Sequence, residues 1–300
     1  MKRKWIRWVS WILLTPIILF VILMVLLYVP PVQNLLRREV TAYASKATGM
    51  QIQVERIDLR FPLNLLVRGV EVIQQPDTLL SLESLNVRVQ AWPLIKGKVE
   101  VDEVTLSRVA VNSADLMEGM KIKGVLGRFF LQSHGVDLSN ELAVINQVEL
   151  SDTHMQLLMN DTTTTPKDTT ASAPINWKVA LHQLKLKNVS FSMQLPADSM
   201  RMTAHIGEAA INDAQADLKN QYYDLKKFLL LGTSASYDTG TAQPTEGFDA
   251  SHIAVRDIRI ALDSLLYKGR DMNAVIREFT MNERSGLSVT APVSYTHLTL

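Results

Sequence analysis

The side chains that could do chemistry are scattered along this chain and do not fall into the spacings that a catalytic or metal site needs. None of the six histidines lies three or four residues from another, so no single helix would present two of them to one metal ion. The chain also has no Gly-x-Ser-x-Gly nucleophile elbow, no dinucleotide fingerprint and no phosphate loop. The sequence therefore predicts no enzymatic activity, no metal site and no cofactor.

Two weaker candidates for chemistry are explained by ordinary structure. The glycine cluster 119–127 (GMKIKGVLG) lacks the spacing and the terminal Lys-Ser/Thr of a phosphate loop, and we interpret it as a plain loop. The carboxylate pairs Asp102–Glu103 and Asp257–Asp263 fall on predicted strand exteriors or corners. Solvation is the expected role of carboxylates in such places.

Composition excludes several further classes of protein. The 300 residues are 47% hydrophobic and 20% charged, which is typical of a folded chain with a sizeable core. The absence of cysteine excludes disulfide scaffolds, thiolate zinc sites, iron–sulfur ligation and cysteine nucleophiles. Lys2, Arg3, Lys4 and Arg7 precede the first apolar stretch, and without them acids slightly outnumber bases. That balance argues against a nucleic-acid partner.

An uncharged segment near the start predicts a membrane anchor. Residues 8–29 give a helix of about 33 Å, which is long enough to cross a bilayer. A cleaved signal peptide is less favoured, because the run is too long and Pro30-Pro31 occupies the place of a cleavage site. Aromatic residues suited to the two membrane interfaces lie around the ends of the segment: Trp5, Trp8, Trp11 and Tyr28.

The charges on either side of the anchor set the expected orientation. The basic tail, residues 1–7, is more positive than the sequence that follows the anchor, so the N-terminus is expected in the cytoplasm and the body across the membrane. Residues 30–49 follow with helical spacing of apolar side chains and a glycine stop at Gly49. This short amphipathic helix is expected to lie against the membrane or to cap the structure after it.

From residue 50 onward the apolar period changes from 3.6 to 2, which predicts strands. A pattern of eleven residues recurs five times, starting at Val101, Ile145, Leu181, Ile206 and Ala250. Apolar residues alternate up to the sixth place and then change parity before the ninth. A regular strand with that pattern would turn half of them to the other face, so a corner or an extra residue must intervene. The eighth place is the predicted corner: Arg108, Asp152, Asn188, Asp213 and Asp257.

The pattern alone leaves a β-sandwich and an open, elongated sheet equally favoured, because both bury one face of each strand. Copies of the pattern are irregularly spaced, which argues against a tight solenoid. Residues 160–174 (NDTTTTPKDTTASAP) are of low complexity and nearly devoid of apolar side chains. The pattern continues beyond them, so we interpret this segment as an insertion within one region.

The order of these elements resembles the AsmA/TamB family. The likeness is carried by the anchor, the helix ending in Thr48-Gly49, MQIQVERIDLRFPLNLLVRGVEV (50–72), LLSLESLNVRVQAWPLIKGKVEVDEVTLSRVAV (79–111) and the later copies of that last motif, as far as about residue 290. Family members are inner-membrane proteins of double-membraned bacteria with a β-rich periplasmic body. The resemblance implies an all-β fold after one N-terminal transmembrane helix: an elongated, open, U-shaped (taco-like) sheet with an apolar lumen over residues 50–292.

The function that the resemblance implies is transport of phospholipid between the two membranes, or support of outer-membrane assembly with an outer-membrane β-barrel partner. An apolar face left uncovered by protein needs another apolar partner, and an acyl chain is one. The expected lining residues are the apolar places of the repeated pattern: Val104, Leu106, Val109, Val111, Val148, Leu150, Met155, Leu184, Leu186, Val189, Phe191, Ile253, Val255, Ile258 and Ile260. An ordinary core position is an equally good interpretation of each of them taken singly.

Two features depart from the family. Its members are usually longer, and the C-terminal domain of the TamB branch is missing. Residues 293–300 (VSYTHLTL) resemble a peptide read from sequencing-adapter DNA, so we expect the natural sequence to end near Pro292 and the last residues to have no fold. Two rival functions remain: a scaffold that docks a partner by strand addition, and a membrane-tethered enzyme, for which the sequence offers no convergent polar pocket.

Overall fold

The computed structural model describes residues 29–61, 63–90, 93, 100–114, 116, 119–137, 141–159, 176–241, 243–269 and 271–299, and for residues 292–299 the backbone alone. The predicted anchor with Trp5, Trp8, Trp11 and Tyr28 lies outside these residues, and so does the predicted insertion. Among the described residues, no helix has both the length and the apolarity to cross a bilayer.

The described chain begins with one helix, α1 (Pro30–Thr48). Pro30 suits the first turn, where its missing N–H would have no helical partner. Gly49 ends the helix in the left-handed conformation at φ 72°, and its N–H donates to the Ser45 carbonyl at 3.0 Å. The helix and its glycine stop were both predicted from the sequence.

Twelve strands and one short 3₁₀ turn, Pro196–Asp198, make up the rest of the described structure. The strands are β1 (Gln51–Arg60), β2 (Asn64–Gln74), β3 (Asp77–Val89), β4 (Val101–Asn112), β5 (Met120–Asp137), β6 (Leu142–Met159), β7 (Lys178–Leu195), β8 (Met200–Asp217), β9 (Tyr222–Asp238), β10 (His252–Lys268), β11 (Asp271–Glu283) and β12 (Ser288–Thr299).

All twelve strands belong to one sheet, in which the spatial order is the chain order. Each pair of neighbours is antiparallel except β6 and β7, which run parallel. The chain between Met159 and Lys178 therefore connects the last residue of β6 to the first residue of β7, which lies beside the start of β6. The predicted insertion lies within that connection.

The sheet is a single layer. Contacts between elements are almost confined to strands that neighbour each other in the sheet and to α1 against β1. None of the described large side chains is fully buried. A sandwich would press two inner faces together at about 10 Å, so these observations favour the open sheet over the sandwich that the sequence left equally possible.

The five residues predicted as corners share one backbone conformation. Arg108, Asp152, Asn188, Asp213 and Asp257 all have a left-handed backbone, with φ between 46° and 55°. Asp and Asn tolerate this region better than most residues because their short polar side chains bond locally. Around the first four of these residues the two flanking strands keep equal residue counts, whereas at Asp257 an extra residue makes a bulge.

Most of these corners fall on one line across the sheet, which we call the corner row. It runs through left-handed residues on β2, β4, β6, β7, β9 and β10: Gly69, Arg108, Asp152, Asn188, Gly232 and Asp257. Asp213 lies off this line, because β8 crosses the row at Gly207 and bends again at Asp213 beside His182.

On two of the intervening strands, β5 and β8, a glycine faces the corners. Gly127 of β5 lies between Arg108 and Asp152, and an added Cβ there would stand 2.7 Å from the Asp152 Cβ. An added Cβ at Gly207 of β8 would stand 2.9 Å from the Gly232 carbonyl oxygen. The sequence-based interpretation of 119–127 as a loop is therefore wrong: Gly124 and Gly127 lie within β5, where the strands approach closely.

The corners change which side chains are exposed, as the parity shift requires. On β7, Lys185 is exposed and Leu186 is half-buried; the adjacent residues Lys187 and Asn188 are then both exposed, and Val189 is again half-buried. The same pair of adjacent exposed residues occurs on β10 at Arg256 and Asp257. The apolar residues next to these two corners thus stay half-buried: Leu186 and Val189 on β7, Val255 and Ile258 on β10.

The ends of the sheet differ. At β1, the Gln33 side-chain amide donates to the Leu59 carbonyl at 3.0 Å, and α1 covers the strand edge. At the other end, β12 continues to Thr299 and pairs with β11 throughout. Its backbone therefore includes most of segment 293–300, for which the sequence predicted no fold.

Asn188 tests whether the corner row depends on left-handed backbone. We expect Asn188→Val to lower the free energy of unfolding by about 1–2 kcal/mol, because a β-branched residue is strained at positive φ. Asn188→Gly loses the same side chain, including its 2.8 Å bond to Asp152, without that strain. The measurement is urea unfolding of both variants followed by circular dichroism.

The matched control is Lys187→Val, at an exposed neighbour that lacks positive φ. It should change stability little. Equal losses for Asn188→Val and Asn188→Gly would contradict a backbone role for the corner.

Candidate functional site

One face of the sheet carries most of its large aliphatic and aromatic side chains, and we call it the apolar face. Residues directly opposite in a ladder share a face, so the register of the eleven strand pairs defines rows across the sheet. One row meets an apolar residue on every one of the twelve strands: Ile57, Val67, Leu85, Leu106, Phe129, Leu150, Leu186, Ala209, Leu230, Ile260, Phe279 and Ala291.

A second row runs beside the first and is apolar from β1 to β11. Its members are Leu59, Leu65, Val87, Val104, Leu131, Val148, Leu184, Ile211, Phe228, Leu262 and Ile276. On β12 the row reaches Ser294. We refer to the row through Leu150 as row one and to the row through Val148 as row two.

Rows beyond the corner row continue the same face. The nearer of them is apolar except for one threonine: Val54, Val70, Leu82, Val109, Leu126, Thr153, Val189 and Ile206. The Thr153 hydroxyl donates to the Ser151 carbonyl at 3.2 Å, so this buried polar group is satisfied within its own strand.

All fifteen residues predicted as a lining fall on these rows or their continuations. Those of β4, β6 and β7 come together across the sheet, with Val148 opposite Leu184, Leu150 opposite Leu186, and Met155 opposite Phe191. On β10, Ile260 joins row one through Leu230, whereas Ile253 lies opposite Tyr237. The structure thus assembles the predicted residues on one face, although they come from four separate strands.

Sequence reasoning missed most of the contribution of the other strands. The signal was present: on β1 the apolar positions advance by two residues from Ile52 to Val54 and from Ile57 to Leu59, but by three from Val54 to Ile57, where the corner row passes. The same skip separates Leu82 from Leu85 on β3. These segments are predicted as strands from their alternation alone, and the change of parity within them marks where the corner row crosses β1 and β3.

The apolar face is only partly shielded. Its side chains are mostly half-buried, and Met155 and Phe191, opposite each other beyond the corner row, are each 40% exposed. In the described part of the chain no second layer covers them, since contacts are almost confined to neighbouring strands.

The opposite face carries charges. Arg88 pairs with Glu103 at 3.2 Å, and Arg259 pairs with Glu278 at 3.6 Å, each across neighbouring strands. Glu103 is one of the carboxylates considered for acid–base chemistry, and Asp263 of the other pair binds Arg277. These ion pairs support the expectation that such carboxylates lie on the solvated side of the sheet.

One polar cavity of about 460 Å³ lies where the β7–β8 turn meets the ends of β9 and β10. Its lining includes Arg201, Asp238 and His252. The His252 ring is held by Asp249, with Nδ1 3.0 Å from a carboxylate oxygen. Among the described residues, no three His, Asp or Glu side chains lie close enough together to hold a metal ion, in this cavity or elsewhere.

Asp249 organises the loop before β10. Its carboxylate accepts hydrogen bonds from the backbone N–H groups of Thr245 at 3.1 Å and Ser251 at 2.9 Å. These two bonds, and to a smaller extent the hydrogen bond with His252, hold the pKa of Asp249 well below its ordinary value. This carboxylate has a structural function that accounts for its shifted pKa.

The apolar face is therefore the surface of the described residues best suited to contact apolar molecules. No family of known proteins matches this chain in a comparison with family models. The comparison with curated proteins gives no match either.

The depressed pKa of Asp249 predicts how its contribution depends on pH. The carboxylate stabilises the fold fully above its unfolded-state pKa, about 4, and this contribution declines as the pH falls toward the lower folded-state pKa. We expect the stability advantage of wild type over Asp249→Asn to be largest near pH 7 and smaller at pH 3, measured by urea unfolding.

Glu246→Gln provides the control, because Glu246 is an exposed carboxylate of the same loop. The difference in stability between wild type and Glu246→Gln should not show this pH dependence. Parallel stability profiles for wild type and Asp249→Asn would refute the assignment.

Proposed function

We propose that this protein is anchored in the inner membrane of a double-membraned bacterium and conducts phospholipid acyl chains along its apolar face toward the outer membrane. The N-terminus lies in the cytoplasm and the sheet in the periplasm. The resemblance to the AsmA/TamB family supports this function, and so does the apolar stretch of residues 8–29.

The observation that carries the proposal is row one, which is apolar on each of twelve successive strands. Adjacent strands lie about 4.8 Å apart, so this row extends about 50 Å across the sheet. An acyl chain lying along it would meet an apolar side chain at every strand. Stepping by one strand exchanges one set of contacts for a similar set, which keeps the barrier to sliding low.

The shape we propose for the sheet is an open U with the apolar face inside. Sheets of more than about ten twisted strands tend to curl. Curling toward the apolar face would crowd its side chains, in agreement with their half-buried state despite the absence of a second layer in the described residues. The ion pairs of the opposite face would then lie outside in water.

Burial of lipid supplies the binding energy. Each methylene transferred from water contributes roughly 0.8 kcal/mol, so even a partly seated acyl chain is held by several kcal/mol. The head group would remain at the open mouth of the U in contact with water. No bond is made or broken, and no catalytic residue is required.

A scaffold role in outer-membrane assembly is the second candidate, and one observation favours it. Strand β12 has only β11 as a neighbour in the described sheet, so one of its edges is available for strand addition by a partner such as an outer-membrane β-barrel assembly protein. A scaffold of this kind tolerates polar residues on the apolar face, whereas a lipid conduit does not.

Lipid retention tests the conduit. Leu150 and Leu186 lie opposite each other at the centre of row one. We expect the full chain, extracted in mild detergent, to retain phospholipid in native mass spectrometry, and the double variant Leu150→Asp, Leu186→Asp to lose most of it. The charges would make seating of an acyl chain unfavourable.

The matched control is His154→Asp with Ser192→Asp, which adds the same charges to the same two strands on the other face. It should retain lipid as wild type does, which also corrects for lipid bound to the anchor. Equal retention by both double variants, with strand content intact in circular dichroism, would rule out the conduit and favour the scaffold.

A further inference from the structure

Helix α1 contacts the sheet through its polar side. Arg37 donates from its guanidinium to the Glu55 carbonyl at 2.7 Å, and the Ser45 hydroxyl accepts from the Ile52 N–H at 3.1 Å. Together with the Gln33 amide bond to β1, these contacts satisfy backbone groups along the open edge of that strand. Polar side chains thus supply the hydrogen bonds of an interface in which a helix usually places its apolar side chains.

The apolar side of α1 faces away from the sheet. Leu35 is 58% exposed, Val40 52% and Tyr43 77%. At 100° per residue these three fall within an arc of about 140°, centred roughly opposite Asn34. The polar side of this amphipathic helix is therefore docked on the sheet, and its apolar side has no packing partner among the described residues.

We infer that this apolar side of α1 lies on the surface of a phospholipid bilayer, an inference that rests on the membrane anchor of the proposed function. The uncharged segment 8–29 ends directly before Pro30, so whatever membrane holds that segment is next to the helix. By the same step of 100° per residue, exposed Lys46 and Glu39 fall inside the arc, and exposed Arg38 lies about 60° beyond Leu35. Two bases and one acid would therefore meet the lipid head groups, and this excess of bases favours anionic lipid.

The contact fixes how the sheet stands on the membrane. Gln33 meets the last part of β1 and Ser45 meets its start, so α1 runs along the strand. A helix lying in the bilayer surface therefore lays β1 parallel to that surface. Rows one and two cross the strands, so they begin at the bilayer on β1 and lead away from it.

The absence of cysteine makes the contact measurable with single spin labels. Labels are placed on the full chain at Tyr43→Cys and Val40→Cys on the apolar side, and at Asn34→Cys as an exposed control on the same helix. The chain is reconstituted in vesicles of phosphatidylcholine and phosphatidylglycerol. Power-saturation EPR then compares collisions with oxygen, which enters bilayers, and with a water-soluble nickel chelate.

We expect a severalfold higher oxygen-to-nickel ratio at positions 40 and 43 than at 34, because amphipathic helices seat their apolar side about 5–10 Å into the interface. Equal ratios at all three positions would overturn the inference. So would dipolar broadening between labels on two chains, which would assign the apolar side to a second copy.

Lipid retention is measured on the same labelled chains. Retained lipid together with a water-exposed label at position 43 would overturn the helix contact and leave the proposed conduit standing. A label at position 43 that lies in the bilayer, in a chain that retains no lipid, would overturn the proposed conduit and leave the helix contact standing.

Discussion

Left-handed residues in the corner row keep the apolar side chains of this sheet on one face. Without them, the parity shift between Leu186 and Val189 would turn half of β7 over, since successive strand residues point to opposite sides. The same reasoning applies on the other strands whose residue in the corner row is left-handed, which are β2, β4, β6, β9 and β10. Gly127 and Gly207 allow the strands to close around these corners. The continuity of the apolar face thus depends on the backbone conformation of a few residues.

A single-layer sheet has no conventional core, which sets how it is stabilised. Backbone pairing between neighbouring strands and half-buried side chains on one face must supply the stability, because no described large side chain is fully buried. Each strand depends mainly on its two neighbours, as in repeat proteins, where stability is close to a sum over nearest-neighbour interfaces. Such an architecture can lengthen without changing its cross-section, which suits a conduit.

The two edges of the sheet are treated differently. Strand β1 is covered by α1, whose Arg37 and Ser45 take up backbone groups of the strand, whereas β12 has one neighbour in the described sheet. The covered edge lies next to the predicted anchor, and the open edge lies at the far end of rows one and two.

Periodicity and left-handed preference are local properties of the chain, so they were enough to predict most of the strands, the glycine stop of α1 and the corner at Asp152 and its equivalents. The sequence by itself did not distinguish a sandwich from an open sheet, since both bury one face of each strand. It also did not predict the parallel pairing of β6 with β7 or the displacement of Asp213 from the corner row. Those features depend on which strands become neighbours and in what register, and only the tertiary structure decides that.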